Sequence, residues 1–294
     1  MGSVAPSAMT AAYSLERSND LYLKNKVTDL FSLKGRVTVI TGGARGIGLA
    51  LAFAVAEVGS DVAILDILDE PHEHFELLQK DYGVKVKFYK TDITQYPVLK
   101  ASCDAVVRDF GRIDSLICAA GICPDEPFLE RDPGAVSRTF SINVLGSYYA
   151  SQCVAAQMVK QEPTEANPRG GSILMIASIA AYQASKMQYL SDYCASKGAI
   201  LSLVRELGVE LAERGIRVNS ISPGYMMTDM TLSISGTRPA LAQVFVTEPP
   251  MRRMGDRTDL KGAAVYLLSN ASAYTTGEDI LITGGMHAGR THLQ

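Results

Sequence analysis

Short runs of apolar and β-branched residues alternate along the chain with longer stretches in which apolar positions recur every three or four residues. The short runs lie at 37–40, 61–66, 84–89, 115–118, 172–177, 216–221 and 279–282. Most are apolar without interruption, which predicts strands covered on both faces. The longer stretches, one opening at Leu49 and others over about 70–82, 98–110, 133–160, 192–214 and 258–268, carry helical periodicity. Strand and helix in turn predict an α/β architecture: a doubly wound, seven-stranded parallel sheet with helices on both faces. Residues 161–171, with Pro163, Pro168 and two glycines, read as a loop between elements and not as a boundary. One domain over 31–294 is therefore expected, with 1–30 as an arm that is flexible or packed on the core.

Composition narrows the partners. Lys plus Arg 28 against Asp plus Glu 31 gives a net charge of −3 without a basic run, which argues against nucleic acid and anionic membranes. The first 30 or so residues hold no apolar core suited to a signal peptide or a span, so a cytoplasmic enzyme is expected. Cys103, Cys118, Cys123, Cys153 and Cys194 form no CxxC pair and read as reduced packing thiols. His72 and His74 lack a third ligand nearby, so no metal is expected. Small soluble molecules remain.

In sheets of this kind ligands sit beyond the strand C-terminal ends, at Gly42–Gly48, Asp66, Asp92, Ala119–Gly121, Ser178 and Pro223-Gly224 here. The first strand runs into Thr41-Gly42-Gly43-Ala44-Arg45-Gly46-Ile47-Gly48, which opens a helix. Glycines there allow a sharp turn and close approach to a diphosphate, whose charge meets the free N–H groups of the helix N-terminus. The second strand ends in Asp66, about 20 residues beyond the glycines, where a carboxylate can accept from the ribose hydroxyls. The alternative for Asp66 is a cap for the next helix. A carboxylate there repels a 2′-phosphate, so NAD(H) is expected over NADP(H); Arg45 is the counterargument, a cation that could hold that phosphate.

Tyr193-Cys194-Ala195-Ser196-Lys197 opens a helical stretch with phenol and ammonium on one face. A free phenol titrates near pH ~10, and bringing it to neutrality takes about 4 kcal/mol of differential stabilisation, for which Lys197 and an oxidised nicotinamide together are suited. So tuned, the phenol is a general acid/base. Tyr22/Lys26, Tyr96/Lys100 and Tyr182/Lys186 repeat the spacing. Tyr182 is the serious rival, but it follows Ser178 too closely to leave the strand and return over the site.

The glycine loop, Asp92, the Asn of Ser141-Ile142-Asn143-Val144-Leu145-Gly146, a Ser closing a strand, Tyr-x-x-x-Lys and Ser222-Pro223-Gly224 occur in the order of the short-chain dehydrogenase/reductase family, which the chain resembles from about Leu33 to Gly285. That resemblance implies a Rossmann-type fold and a set of roles. Ser178 would hydrogen-bond the substrate oxygen, Tyr193 exchange its proton, Lys197 tune Tyr193 and hold the ribose, and Asn143 place a relay water toward Lys197. Thr228 would hold the nicotinamide carboxamide. The nucleotide would lie against Gly42, Arg45, Gly46, Ile47, Gly48, Asp66, Asp92, Ile93, Ala119, Ala120, Gly121, Tyr193, Lys197, Pro223, Gly224, Met226 and Thr228. Two departures stand out: Cys118-Ala119-Ala120-Gly121 replaces the usual Asn-Asn-Ala-Gly, and Ser178 lies 15 residues before Tyr193, somewhat more than is usual. Ser185 and Ser191 are weaker candidates for the serine, since neither closes a strand.

Residues 225–251 read as a substrate lid, with Met226, Met227, Met230, Leu232, Ile234, Leu241, Val244, Phe245 and Val246 among few charges. Methionines adapt to shape, so this lid suits a bulky ketone or secondary alcohol. The segments Leu30–Gly35 and Tyr274–Gly277 instead resemble fungal polyol and ketose members of the family, of the sorbose reductase and arabinitol dehydrogenase type. Both substrate classes stay open. So do non-redox or cyclase-type chemistry on the same fold and a catalytically silent nucleotide-binding module. The apolar surface of Ala199–Val204 leads to the expectation of a homotetramer or homodimer.

Overall fold

The computed structural model describes residues 21–168, 170–228, 231 and 238–289. Seven parallel strands form one sheet in the order β3-β2-β1-β4-β5-β6-β7, as the alternation predicts. They are β1 (Val37–Thr41), β2 (Asp61–Asp66), β3 (Val86–Lys90), β4 (Ser115–Cys118), β5 (Ser172–Ile176), β6 (Arg217–Pro223) and β7 (Asp279–Ile282). Every residue of β1, β4 and β5 is buried, as strands covered on both faces must be. Thr41 stands beside both Leu65 and Cys118 in register, so the ends of β2 and β4 flank the end of β1. The chain passes from the β3 edge back to β4, and that reversal opens a crevice at the C-terminal ends of β1 and β4.

Two apolar layers sandwich the sheet. On one side α3 (Gly46–Glu57) and α4 (Phe75–Tyr82) bury Leu51, Val55 and Leu78 together with Leu267 of α10 (Lys261–Leu268). On the other, α5 (Tyr96–Phe110), α7 (Ser147–Met158) and α8 (Ser191–Glu210) bury Leu99, Val106, Val154, Ile200 and Val204. Before the sheet come α1 (Leu21–Lys24) and α2 (Val27–Leu30), with Tyr22 and Val27 exposed. Residues 1–20 of the expected arm lie outside the described residues.

The long helix expected over 133–160 is interrupted. After α6 (Pro133–Phe140) the backbone makes a wider π-helical turn at Ser141–Gly146 before α7 begins. A Cβ on Gly146 would stand 2.4 Å from Ile93 Cδ1, so the glycine is what lets this turn press on Ile93. The expected lid after β6 holds a helix, α9 (Pro239–Thr247), whose Leu241, Val244 and Phe245 make their own small core with Tyr225 and Met254. Met230, Leu232 and Ile234 of the expected lid lie outside the described residues. Shifts elsewhere are small: β3 starts at Val86, β6 runs on to Pro223, and α8 ends at Glu210 before a short 3₁₀ turn closed by Gly215 at φ +74°.

Candidate active site

The glycine turn lies at the C-terminal end of β1. Gly42 has φ +68°, and a Cβ there would sit 2.5 Å from Ala120 Cα; a Cβ on Gly48 would sit 2.1 Å from the Gly42 carbonyl oxygen. These two glycines allow the turn to fold against the loop after β4 and against itself. Gly46 differs: its φ is +61°, but the space beside it is open to 4 Å. A turn packed tight behind and open in front, at a helix N-terminus, is a cradle of the size and polarity a diphosphate needs. Arg45 is exposed beside it, and Ile47 is half-buried against the apolar layer of α3.

Asp66 closes β2 with little exposure. Its two oxygens accept from Ala44 N at 3.0 Å and Leu68 N at 3.2 Å. It does not cap the next helix, which begins only at Phe75. The carboxylate ties the end of β2 to the glycine turn, and Ile67 after it is exposed and uncharged. Asp92 accepts from Thr94 N at 2.9 Å and from Thr94 Oγ1 at 2.7 Å, shaping the entry to α5. Ile93 is buried in the core, so it can meet a ligand only through its backbone. Ala119 N donates to Thr41 O at 3.1 Å, and Gly224 N to Ile282 O at 2.9 Å, which holds the β4 and β6 ends in the crevice wall. Met226 is likewise buried, against Gly255, and Thr228 is partly occupied with Thr231. Of these residues Ile93 packs its side chain on Gly146, whereas Met226 lines a cavity with Gly224, Gly255 and Thr283.

Ser178, Tyr193 and Lys197 converge at the ends of β5 and α8. The Ser178 hydroxyl accepts from Ala180 N at 3.1 Å and faces the Tyr193 phenol, whose ionisation it favours. Lys197 Nζ stands 5.6 Å from the Tyr193 ring centroid and donates to Ile176 O at 2.7 Å. Burial dominates both titrations: it pushes the phenol well above its ordinary value and brings the ammonium down to about 8. Lys197 alone therefore does not bring the phenol toward neutrality, in keeping with the sequence expectation that assigned this to Lys197 and an oxidised nicotinamide together.

Asn143 sits in the π-helical turn. Its Oδ1 accepts from Ile122 N at 2.9 Å, while its Nδ2 donates to Ile122 O and to Ser196 Oγ, both at 3.0 Å. The side chain clamps the strand-like stretch after Gly121. Gly121 lies between Asn143 Oδ1 and Lys197 Nζ, so both border the same small space. Ser196 was overlooked in the sequence; it links Asn143 to Tyr193 O, at 2.7 Å, and its place inside the Tyr-x-x-x-Lys stretch was the available signal. Cys123, read in the sequence as a packing thiol, lies near enough to Lys197 for the ammonium to favour its thiolate, although burial holds the thiol up at about 12.

The rival pairs face elsewhere. Tyr182 donates to Asp279 Oδ2 at 2.7 Å on an exposed surface, and Lys186 pairs with Glu248. Lys100 pairs with Asp104, and Tyr96 packs on Tyr149. Tyr22 is exposed. Ser185 and Ser191 do not enter the convergence of Ser178, Tyr193 and Lys197. Among the described residues no group of His, Cys, Asp and Glu could hold a metal ion, and no helix is long and apolar enough to cross a membrane.

Comparison with known proteins agrees with this geometry. The family model described as enoyl-(acyl carrier protein) reductase matches residues 42–287. An NADP-dependent mannitol dehydrogenase of Hypocrea jecorina is 37% identical over 89% of this chain and 96% of its own length. A sorbose reductase of Candida albicans is 36% identical over 90% of this chain and 91% of its own. The solved structure of an NADPH-dependent 3-quinuclidinone reductase from Rhodotorula rubra superposes with a TM-score of 0.81 at 36% identity, covering 94% of this chain and 98% of that one. With the parallel sheet, the glycine cradle at its switch point and a match across most of its length, the chain belongs to the short-chain dehydrogenase/reductase family, oxidoreductases that use a nicotinamide nucleotide on CH–OH groups.

Proposed function

We propose that the protein interconverts a polyol and the corresponding ketose, with Tyr193 as the acid/base. The observation that carries this reading is the convergence of Ser178, Tyr193 and Lys197 beside the glycine cradle. In the oxidative direction the Tyr193 phenolate would take the substrate hydroxyl proton as the adjacent C–H leaves as hydride; an oxidised nicotinamide held at the glycine cradle would supply the hydride acceptor and a positive charge that favours the phenolate. The Ala180 N–H occupies a lone pair of Ser178 Oγ, which leaves its own proton to donate to the substrate oxygen. Lys197, held by Ile176 O, keeps its ammonium beside the phenol. Asn143 fixes Ile122 and, with a remaining lone pair of Oδ1, borders the space in front of Gly121 where a relay water toward Lys197 fits.

The substrate class follows from the lid. Leu241, Val244 and Phe245 are spent in the lid's own core, which weakens the apolar case for a bulky ketone. The mannitol and sorbose activities named for two relatives point to the polyol side.

We further propose NAD(H) as the preferred cofactor, from the Asp66 carboxylate and the uncharged Ile67, although relatives are named for NADP and Arg45 stands ready for a phosphate. The apolar residues Ile200, Leu201 and Val204, on which the sequence expectation of a homotetramer or homodimer rested, are buried in the core of this chain; exposed Leu145, Tyr148 and Val209 are the apolar surface that supports it instead, with sedimentation at micromolar concentration as its check. Five free thiols suit a cytoplasmic setting. The test of function is nicotinamide absorbance over a panel of polyols, ketoses and aromatic ketones. Tyr193→Phe should lower turnover by orders of magnitude with nucleotide binding intact, and Tyr182→Phe should leave it near wild type. The reverse pattern, or activity confined to aromatic ketones, refutes the reading.

A further inference from the structure

A buried ion pair stands immediately before Tyr193. The side chains of Arg131 and Asp192 are each 2% exposed, and Arg131 Nη1 pairs with Asp192 Oδ1. The same carboxylate oxygen accepts the backbone N–H of Tyr193 at 2.8 Å, and Oδ2 accepts from Thr139 Oγ1 at 2.8 Å. Arg131 Nη2 reaches three backbone carbonyls, Tyr189 O at 2.7 Å, Glu126 O at 2.8 Å and Pro124 O at 3.3 Å. One guanidinium thus joins the loop after β4, the loop before α8 and the first turn of α8.

An outer clasp continues from it toward the lid. Asp125 accepts from Tyr189 N at 2.8 Å and pairs with Arg238 at 2.6 Å, and Arg238 Nη2 donates to Met187 O at 2.8 Å. Arg238 is the residue before α9. Met187 has φ +61°, a conformation costly for a residue with a side chain and kept only where its surroundings over-determine it. Here they do, since the carbonyls of Met187 and Tyr189 are held by two different arginines. A surface loop that merely connects β5 to α8 has no need of such restraint.

We propose that Arg131 and Asp192 are positioning residues for Tyr193: their buried pair sets the start of α8, and with it the place of the phenol between Ser178 and Lys197. This rests on the reading of Tyr193 as the acid/base. Neither residue needs to touch the substrate. Buried ion pairs often add little stability over an apolar replacement, so a pair kept beside the acid/base is better explained by the geometry it enforces. A displacement of about 1 Å at such a group costs turnover on the order of 100-fold while substrate binding changes little.

The test compares Asp192→Asn and Arg131→Lys with Asp114→Asn. Asp114 is equally buried and is paired with Arg112, but it lies at the start of β4, away from the site. All three variants lose a buried charge or its geometry, and thermal melting reports that loss. The expected result is kcat down roughly 10- to 100-fold in Asp192→Asn with KM within about threefold, an intermediate value for Arg131→Lys, and wild-type kcat per folded molecule in Asp114→Asn. If Asp192→Asn does not fold, Arg131→Lys is judged by the same split, with Arg131→Met expected to fall below it. Turnover that merely follows the folded fraction, or a change in KM alone, overturns the proposal. A fully active Tyr193→Phe would instead sink the reading of the tyrosine, which separates the two failures.

Discussion

Replacing Asp66 by Asn tests which charge chooses the cofactor, and the structure sets the size of the effect. Asp66 is only 8% exposed, so salt screens it weakly. A 2′-phosphate brought to about 4 Å of its carboxylate meets ~4 kcal/mol of repulsion per unit charge at an effective dielectric near 20. Arg45 is exposed, and its attraction for that phosphate is worth only about 1 kcal/mol. The balance of about 3 kcal/mol predicts a ratio of kcat/KM near 100-fold in favour of NAD(H). In Asp66→Asn the repulsion is gone and the attraction of about 1 kcal/mol from Arg45 remains, so the preference should turn about fivefold toward NADP(H); Arg45→Ala in the wild type should raise the NAD(H) ratio. The substitution also faces an amide NH₂ toward one of the two N–H groups that the carboxylate accepts from, Ala44 N or Leu68 N, at a stability cost of about 1–2 kcal/mol. That cost cancels in the ratio, because both cofactors are measured on one preparation with one polyol. A wild type that prefers NADP(H), or an Asp66→Asn ratio equal to that of wild type, would show that Arg45 and not Asp66 governs the choice.

Three further outcomes are expected. Burial lowers the Lys197 ammonium from 10.5 to about 8, so the native state loses its proton before the unfolded state does. Stability attributable to this group therefore rises as pH goes from 8 toward 10.5, and Lys197→Met should be more stable than wild type by roughly 3 kcal/mol at pH 7, less any lost hydrogen bond, with the difference shrinking at alkaline pH; melting curves showing a gap that widens with pH would contradict this. Gly48→Ala should unfold the glycine turn, since its Cβ has only 2.1 Å to the Gly42 oxygen, whereas Gly46→Ala should fold with a loss of ~1–2 kcal/mol and bind nucleotide weakly; denaturant titration and calorimetry distinguish them, and equal stability would count against the cradle. Hydrogen bonding from Cys103, then from Tyr96, with help from the Lys100 charge, brings the Cys153 thiol down to about 7, while burial holds Cys118 and Cys123 up at about 12. Limited iodoacetamide at neutral pH should label Cys153 first, and faster labelling of either other thiol by peptide mass would refute that order.

Residues 37–66 and the later alternation carried enough for the architecture, because parallel strands buried on both faces must be apolar and their connections must be helical. The same pattern located the crevice, since whatever follows a strand lies at its C-terminal end; Gly46, Asp66 and Ser178 were expected there for that reason, and Tyr193 for its Lys at i+4 on a long helix. Which of four Tyr-x-x-x-Lys pairs faces the crevice was not a property of spacing. It was decided by which helix face the sheet buries, and by Asp279 drawing Tyr182 outward from 97 residues away. Local periodicity also could not show the π-helical turn at Asn143, which depends on Ile93 pressing on Gly146 across the fold. Nor could it show the use of Asn143 on Ile122 or the small core that Leu241, Val244 and Phe245 make within the lid. Arg131 and Asp192 read in the sequence as two unremarked charges 61 positions apart. Only folding brings them together, because desolvating two opposite charges is tolerable when each finds the other and costly when either is left alone.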